Sequence, residues 1–197
     1  MPKGDSTGLM WGFQLWANLP ASHKMMDPRY RGIVSSEIPE VTLDGGIKAK
    51  IISGHLSGVR GPVQDVVIDP EYLDVTMPQG SVFTHPVRPG HKVFAYVIEG
   101  CGYFDPGRDA FAFEVVGAKW LDVNRECCVR AQHLVLYGDG DQVIVTTDKE
   151  PARFLLVSGK PIGEPVAWYG PIVMNTQNEL RVALEEFQNG TFVKHRK

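Results

Sequence analysis

The sequence is poor in cysteine, has no long apolar run and carries no surplus of positive charge. Its three cysteines are Cys101, Cys127 and Cys128. Three is an odd number, and neighbours such as Cys127 and Cys128 have poor geometry for an ordinary bridge, so no disulfide framework is expected. No CxxC or Cys/His spacing suggests zinc. Reduced, unreactive packing thiols in a cytoplasmic protein are the expectation. No apolar stretch approaches the roughly 20 residues that cross a bilayer, and no charged-then-apolar signal segment stands at the start. A net charge of -3 argues against a general nucleic-acid binder. The basic tip Lys194-His195-Arg196-Lys197 reads as a solvated tail. There is no internal repeat, no phosphate-binding loop and no Ser-His-Asp or Cys-His motif.

What the chain does have is strand texture. Leu9 to Leu19 reads as an aromatic strand, with Trp11, Phe13 and Leu15 on one side and Gln14 and Trp16 on the other. Both faces of that segment need cover. Ala21 to Pro39 has little periodicity and reads as an arm that crosses to another surface. From Val41 the pattern is all-β. Ile47 to Ile51 alternates cleanly, and Val63 to Ile68 is a further candidate strand.

The centre of the chain is YLDVTMPQGSVFTHPVRPGHKVFAYVIEGCGYF, residues 72–104. Leu73, Val75 and Met77 alternate with Tyr72, Asp74 and Thr76. Pro78-Gln79-Gly80 and Pro89-Gly90 supply turns around the short strand Val82-Phe83-Thr84. Val93 to Ile98 is apolar on both faces, as a central strand is. Glu99 to Gly102 reads as a hairpin, with Glu99 solvated at its tip. Phe111 to Val115, Cys128 to Arg130 and Leu134 to Tyr137 are weaker candidates, and 142–147 and 152–158 are strand-like. Near the end, Thr176-Gln177-Asn178-Glu179 has capping-box spacing. Leu180, Ala183, Leu184 and Phe187 make one helical stripe, and Asn189-Gly190 is a C-terminal stop.

The ordered set of GFQLWANLP, KMMDPRY, the central run, the GDGD turn, LLVSGKPIGEPVAWYGPIVMNT and the final helix resembles the second half of the pirin family, whose members carry two cupin domains in tandem. The resemblance covers essentially the whole chain. It implies an all-β fold: a cupin-type β-barrel, a double-stranded β-helix of jelly-roll kind, with an N-terminal arm and a C-terminal helix. It divides the chain into an N-terminal strand and inter-domain arm (1–44), the C-terminal cupin (45–175), and a helix and tail (176–197). In pirins the iron site lies in the N-terminal cupin. The chain opens Met1-Pro2, where the family places residues just after its last iron ligand, so it is expected to be the distal half of a two-cupin ancestor. Two histories would give it: a missed upstream start or a true loss of the first domain.

A cupin signature also implies what a metal site in this half would need. An H-x-H pair should follow Gly80, with a Glu beyond it and another His after the GDGD turn. This chain has His85 but Val87 at the second place, Arg88 near the carboxylate place, and no His between Asp141 and His195. Asp139 and Asp141 read as turn residues. No catalytic residue, no metal ligand and no cofactor is therefore expected. His85, His91 and Tyr96 are the candidate lining of a ligand pocket at the barrel mouth, although turn-flanking roles with ordinary hydrogen bonds are favoured for the two histidines.

Three functions stay open at this point. The first is a metal-free structural or interaction module, with a protein partner or a homodimer formed through Trp11, Phe13, Leu15 and Trp16. The second is a quercetin 2,3-dioxygenase-type pirin whose iron domain is not in this chain. The third is a small-molecule-binding cupin. Direct contact with nucleic acid or membrane is not expected.

Overall fold

The computed structural model describes residue 8 and residues 10–109 and 126–194. The expected strand over 111–115 lies outside the described residues. The chain divides into two compact units, one made of Met1–Pro28 and Ile162–Lys197, the other of Arg29–Pro161.

The larger unit is all-β. Its main sheet is built from β1 (Glu40–Thr42), β2 (Lys48–Ser53), β5 (Glu71–Met77), β7 (Lys92–Gly102), β8 (Val129–Arg130), β9 (Leu134–Leu136) and β11 (Ala152–Gly159). The order across it is β1-β2-β5-β11-β7, with both β8 and β9 against β7. A second, two-stranded sheet pairs β6 (Val82–Pro86) with β10 (Gln142–Thr146). A small hairpin joins β3 (His55–Leu56) to β4 (Val59–Arg60).

Period-two alternation explains the core. Leu73, Val75 and Met77 of β5 point inward as expected, and so do Phe83 of β6 and Val143 and Val145 of β10. With Ala95 and Val97 of β7 and Phe154 and Leu156 of β11, they form one apolar cluster between the two sheets. Phe154 meets both Phe83 and Phe104 edge to face, at centroid distances of 5.9 and 5.3 Å. On the opposite face of the main sheet, Arg153 of β11 donates two bonds to Asp74 of β5, at 3.0 and 2.8 Å, and one to Glu99 of β7. The bonds to Asp74 are the main reason the guanidinium holds its proton more tightly than usual.

Three local expectations are corrected. Glu99 to Gly102 is not a hairpin. β7 runs straight through it, and the register against β11 slips between Arg153 and Phe154, so Ile98 is the extra residue of a bulge. Gly100 sits there at a φ of 71°, and a Cβ on it would run into the Pro151 carbonyl oxygen. Glycine is thus demanded by the bulge rather than by a turn. Val63 to Ile68 forms only an isolated bridge, Ser53 to Val63. The aromatic run has no strand over residues 10–19. Alternation gives a segment its faces, but strand hydrogen bonds need an adjacent edge, and alternation does not supply one.

The smaller unit contains a hairpin of β12 (Ala167–Tyr169) and β13 (Ile172–Met174) and the helix α1 (Gln177–Gln188). The capping box forms as read. The Glu179 amide donates to Thr176 Oγ1 at 3.2 Å, and the Thr176 amide donates to Glu179 Oε2 at 2.8 Å. Leu180 and Ala183 are buried against Ala167, Ile172 and Met174, while Phe187, at the end of the stripe, is exposed. Among the described residues no helix is long and apolar enough to cross a membrane.

Candidate functional site

The site grows from two strand ends. On β6, alternation sends Phe83 and His85 inward and Val82 and Thr84 outward. The two rings stack nearly parallel, 7° apart with centroids 5.9 Å from each other. Pro86 ends the strand, and Val87 is fixed by its amide, which donates to the Asp141 carbonyl at 2.7 Å. Glu71 opens β5, across from Ser158 of β11. The stem of Glu71 lies against Gly54, where a Cβ would come within 2.9 Å of the Glu71 Cγ. Only glycine, here at a φ of 89°, leaves that space.

Through this arrangement the second sheet reaches the first. His85 Nε2 donates to Glu71 Oε2 at 2.8 Å, with the two side chains 4% and 17% exposed. A carboxylate only accepts, so a ring proton sits on Nε2. Nδ1 of the same ring is buried without a hydrogen-bond partner, and so is Nδ1 of His91. Both histidines line one cavity of about 380 Å³ that also holds Glu71, Ser158 and His55. Pro70, Pro86, Val87 and Pro89 give it apolar walls. Arg88 and Asp69, both largely exposed, are an ion pair among its lining residues.

The histidines are thus brought together, whereas Tyr96 is not among the residues of this cavity; it lies on β7 between Leu134 and Leu155. Asp139 is not in it either. It is exposed and receives a bond from Lys92 Nζ at 2.6 Å, which holds its carboxyl below the usual range. Glu71 and Ser158 were missed by sequence reasoning. No motif ties residue 71 to residue 85; only the pairing of the sheets does. Among the described residues, no three His, Cys, Asp or Glu side chains are grouped as a metal ion would need.

A second cavity, of about 450 Å³, is lined by Cys101, Cys127, Cys128, Arg130 and Lys149 among others. Here the expectation of packing thiols is corrected. Cys101 and Cys128 are joined as a disulfide with their Cα atoms 5.8 Å apart, and Cys127 is free. The pairing of β8 with β7, Cys101 opposite Arg130, brings residue 128 within reach. Sequence neighbours were the wrong pair to weigh.

Chemically, the first cavity sets a histidine–carboxylate pair among apolar walls, a pattern common to small-molecule sites. The sequence matches the family model of the pirin C-terminal cupin domain over residues 72–193. It is 39% identical over 193 residues to a pirin-like protein of Caulobacter vibrioides, covering 98% of this chain and 62% of that protein. It is 34% identical over 180 residues to the pirin of Homo sapiens, covering 90% of this chain and 56% of that one. Among solved structures, a quercetin 2,3-dioxygenase from Acinetobacter baumannii aligns with a TM-score of 0.72 and 25% identity, over 90% of this chain and 55% of that chain. The fold is therefore an all-β cupin. The chain spans less than two thirds of the length of each of these proteins.

Proposed function

This chain belongs to the pirin family, and from that premise we propose that its cupin works as a metal-free structural or interaction module. One observation carries the reading. At the place where a cupin metal needs converging ligands, His85 is spent on a hydrogen bond to Glu71, and Val87 belongs to the apolar core. A mononuclear iron centre takes several side chains aimed at one point, with an open position for oxygen or substrate. The residues present do not fit that demand, so no redox step is derived through this cavity. The proposal keeps another protein or a second copy of the chain as the partner.

Elemental analysis of protein purified without chelators or an affinity tag tests it. Less than about 0.1 transition metal per chain is the expected result. About one per chain, lost on His85→Ala, would sink the reading.

A second reading is a quercetin 2,3-dioxygenase-type activity in which this domain is the scaffold and iron is held elsewhere. The likeness to the Acinetobacter enzyme favours it. Flavonol-dependent oxygen uptake that appears only when an iron-loaded cupin domain is added to this chain, surviving a control for contaminants, would favour it over the module.

A further inference from the structure

All three cysteines of the chain line the second cavity, of about 450 Å³. We propose that this cavity is a site of thiol–disulfide exchange, where a small thiol of the glutathione class opens and recloses the Cys101–Cys128 bond, and that the bond is a clasp on one edge of the main sheet. The proposal does not depend on whether the His85 cavity holds a metal. Burial decides where exchange begins. Cys101 is 4% exposed, whereas Cys128 is only partly buried, so Cys128 is the sulfur that an incoming thiolate meets first. The volume lies within the range of small-molecule sites. Charge does not narrow the class further, because Arg130 and Lys149 stand in the lining beside Glu126, Asp148 and Glu150.

A glutathione thiolate attacks Cys128 Sγ. A new S–S bond forms there, the old one breaks, and its electron pair leaves on Cys101 Sγ, which takes up the proton that the glutathione gave to water. A second glutathione thiolate attacks the glutathione sulfur of this mixed disulfide. Glutathione disulfide leaves, and Cys128 Sγ takes up the second proton. Two electrons have passed from two glutathiones to the chain, and glutathione disulfide takes them back by the reverse steps. The structural consequence is local. β8 has two residues, and its register against β7 consists of Cys101 opposite Arg130 and Gly102 opposite Val129. Cys128 stands just before β8, and just after it the Ala131 amide donates to the Gly100 carbonyl at 3.1 Å. The ladders of β5 with β11 and of β6 with β10 form without the bond. Opening it therefore loosens one edge while the core stays closed.

The test equilibrates the full chain, without denaturant, in glutathione mixtures stepped from oxidised to reduced, then quenches with acid, alkylates and maps the peptides by mass. Intermediate mixtures should hold open and closed chains in the same proportion whichever form was the start. Early after addition of reduced glutathione, one glutathione should be found on Cys128, and Cys127→Ser should leave that adduct and the titration unchanged. Hydrogen exchange gives the structural readout. On opening, the Ala131 amide should exchange about tenfold faster or more, since a cross-link of this kind contributes at least that factor, while the amides of the β5–β11 ladder keep their rates. Cys101→Ser should show the fast Ala131 exchange in every mixture. If that variant does not fold, the titration and exchange of the unaltered chain decide alone. A bond that reduced glutathione opens only after unfolding, no bond even in the oxidised mixture, a first adduct on Cys101 or only on Cys127, or unchanged Ala131 exchange on opening overturns the proposal.

Discussion

Removing Glu71 is the most informative perturbation, because it strands a buried imidazole. In Glu71→Ala, His85 Nε2 loses its 2.8 Å acceptor while Nδ1 already lacks any hydrogen-bond partner. A hydrogen bond to a charged group contributes about 1.5–3 kcal/mol, and the pair is too buried for water to replace it freely. The stem of Glu71 against Gly54 adds a little lost packing. The expected cost is about 3 kcal/mol, or about 6–12 °C in melting temperature for a chain of this size. Glu71→Gln keeps an acceptor and should cost about 1 kcal/mol. The assay is urea unfolding at neutral pH, with unchanged slope as the sign that only stability moved. A cycle with His85→Ala should give a coupling of about 1–3 kcal/mol between the two sites. Additivity within about 0.5 kcal/mol, or a Glu71→Ala cost below that, would show that the pair does not hold the cavity together.

Other outcomes follow from single residues. Tyr137 has a buried hydroxyl with no partner, and burial raises its pKa above the ordinary value of 10. The folded form therefore holds that proton where the unfolded chain gives it up, so stability falls as pH rises past about 10. Tyr137→Phe should gain about 1 kcal/mol at neutral pH and flatten the alkaline loss; a cost instead would mean the hydroxyl is satisfied. Gly100→Ala must meet the Pro151 carbonyl at a positive φ, so a loss of about 3 kcal/mol or more is expected by denaturant melt, and a neutral result would remove the bulge argument. Trp11 and Trp16, respectively 59% and 64% exposed, should be shielded from a fluorescence quencher in a homodimer at high concentration; sedimentation as a monomer with both quenched would dismiss that partner. Peptide mapping of air-exposed protein should link Cys101 to Cys128 and leave Cys127 alkylatable; a 127–128 link would contradict the pairing.

The sequence alone determined the elements whose signals are local. Alternation at Leu73, Val75 and Met77, the turns at Gly80 and Gly90, and the Thr176–Glu179 box each depend on residues a few positions apart, and each is found where it was read. These signals were enough for an all-β chain with a final helix; the cupin fold came from the resemblance to the pirin family. Tertiary structure decided whatever depends on which strand lies beside which. The reading of Glu99 to Gly102 as a turn failed because glycine serves a bulge as well as a hairpin, and only the register with β11 tells them apart. Leu9 to Leu19 had the alternation of a strand, but strand formation needs a neighbouring edge that composition cannot announce. Cys101 and Cys128 are 27 positions apart and meet because β8 returns against β7. His85 could be picked out by its place after Gly80, but its partner Glu71 could not. The two belong to different sheets, and their hydrogen bond exists only once the core between those sheets has closed.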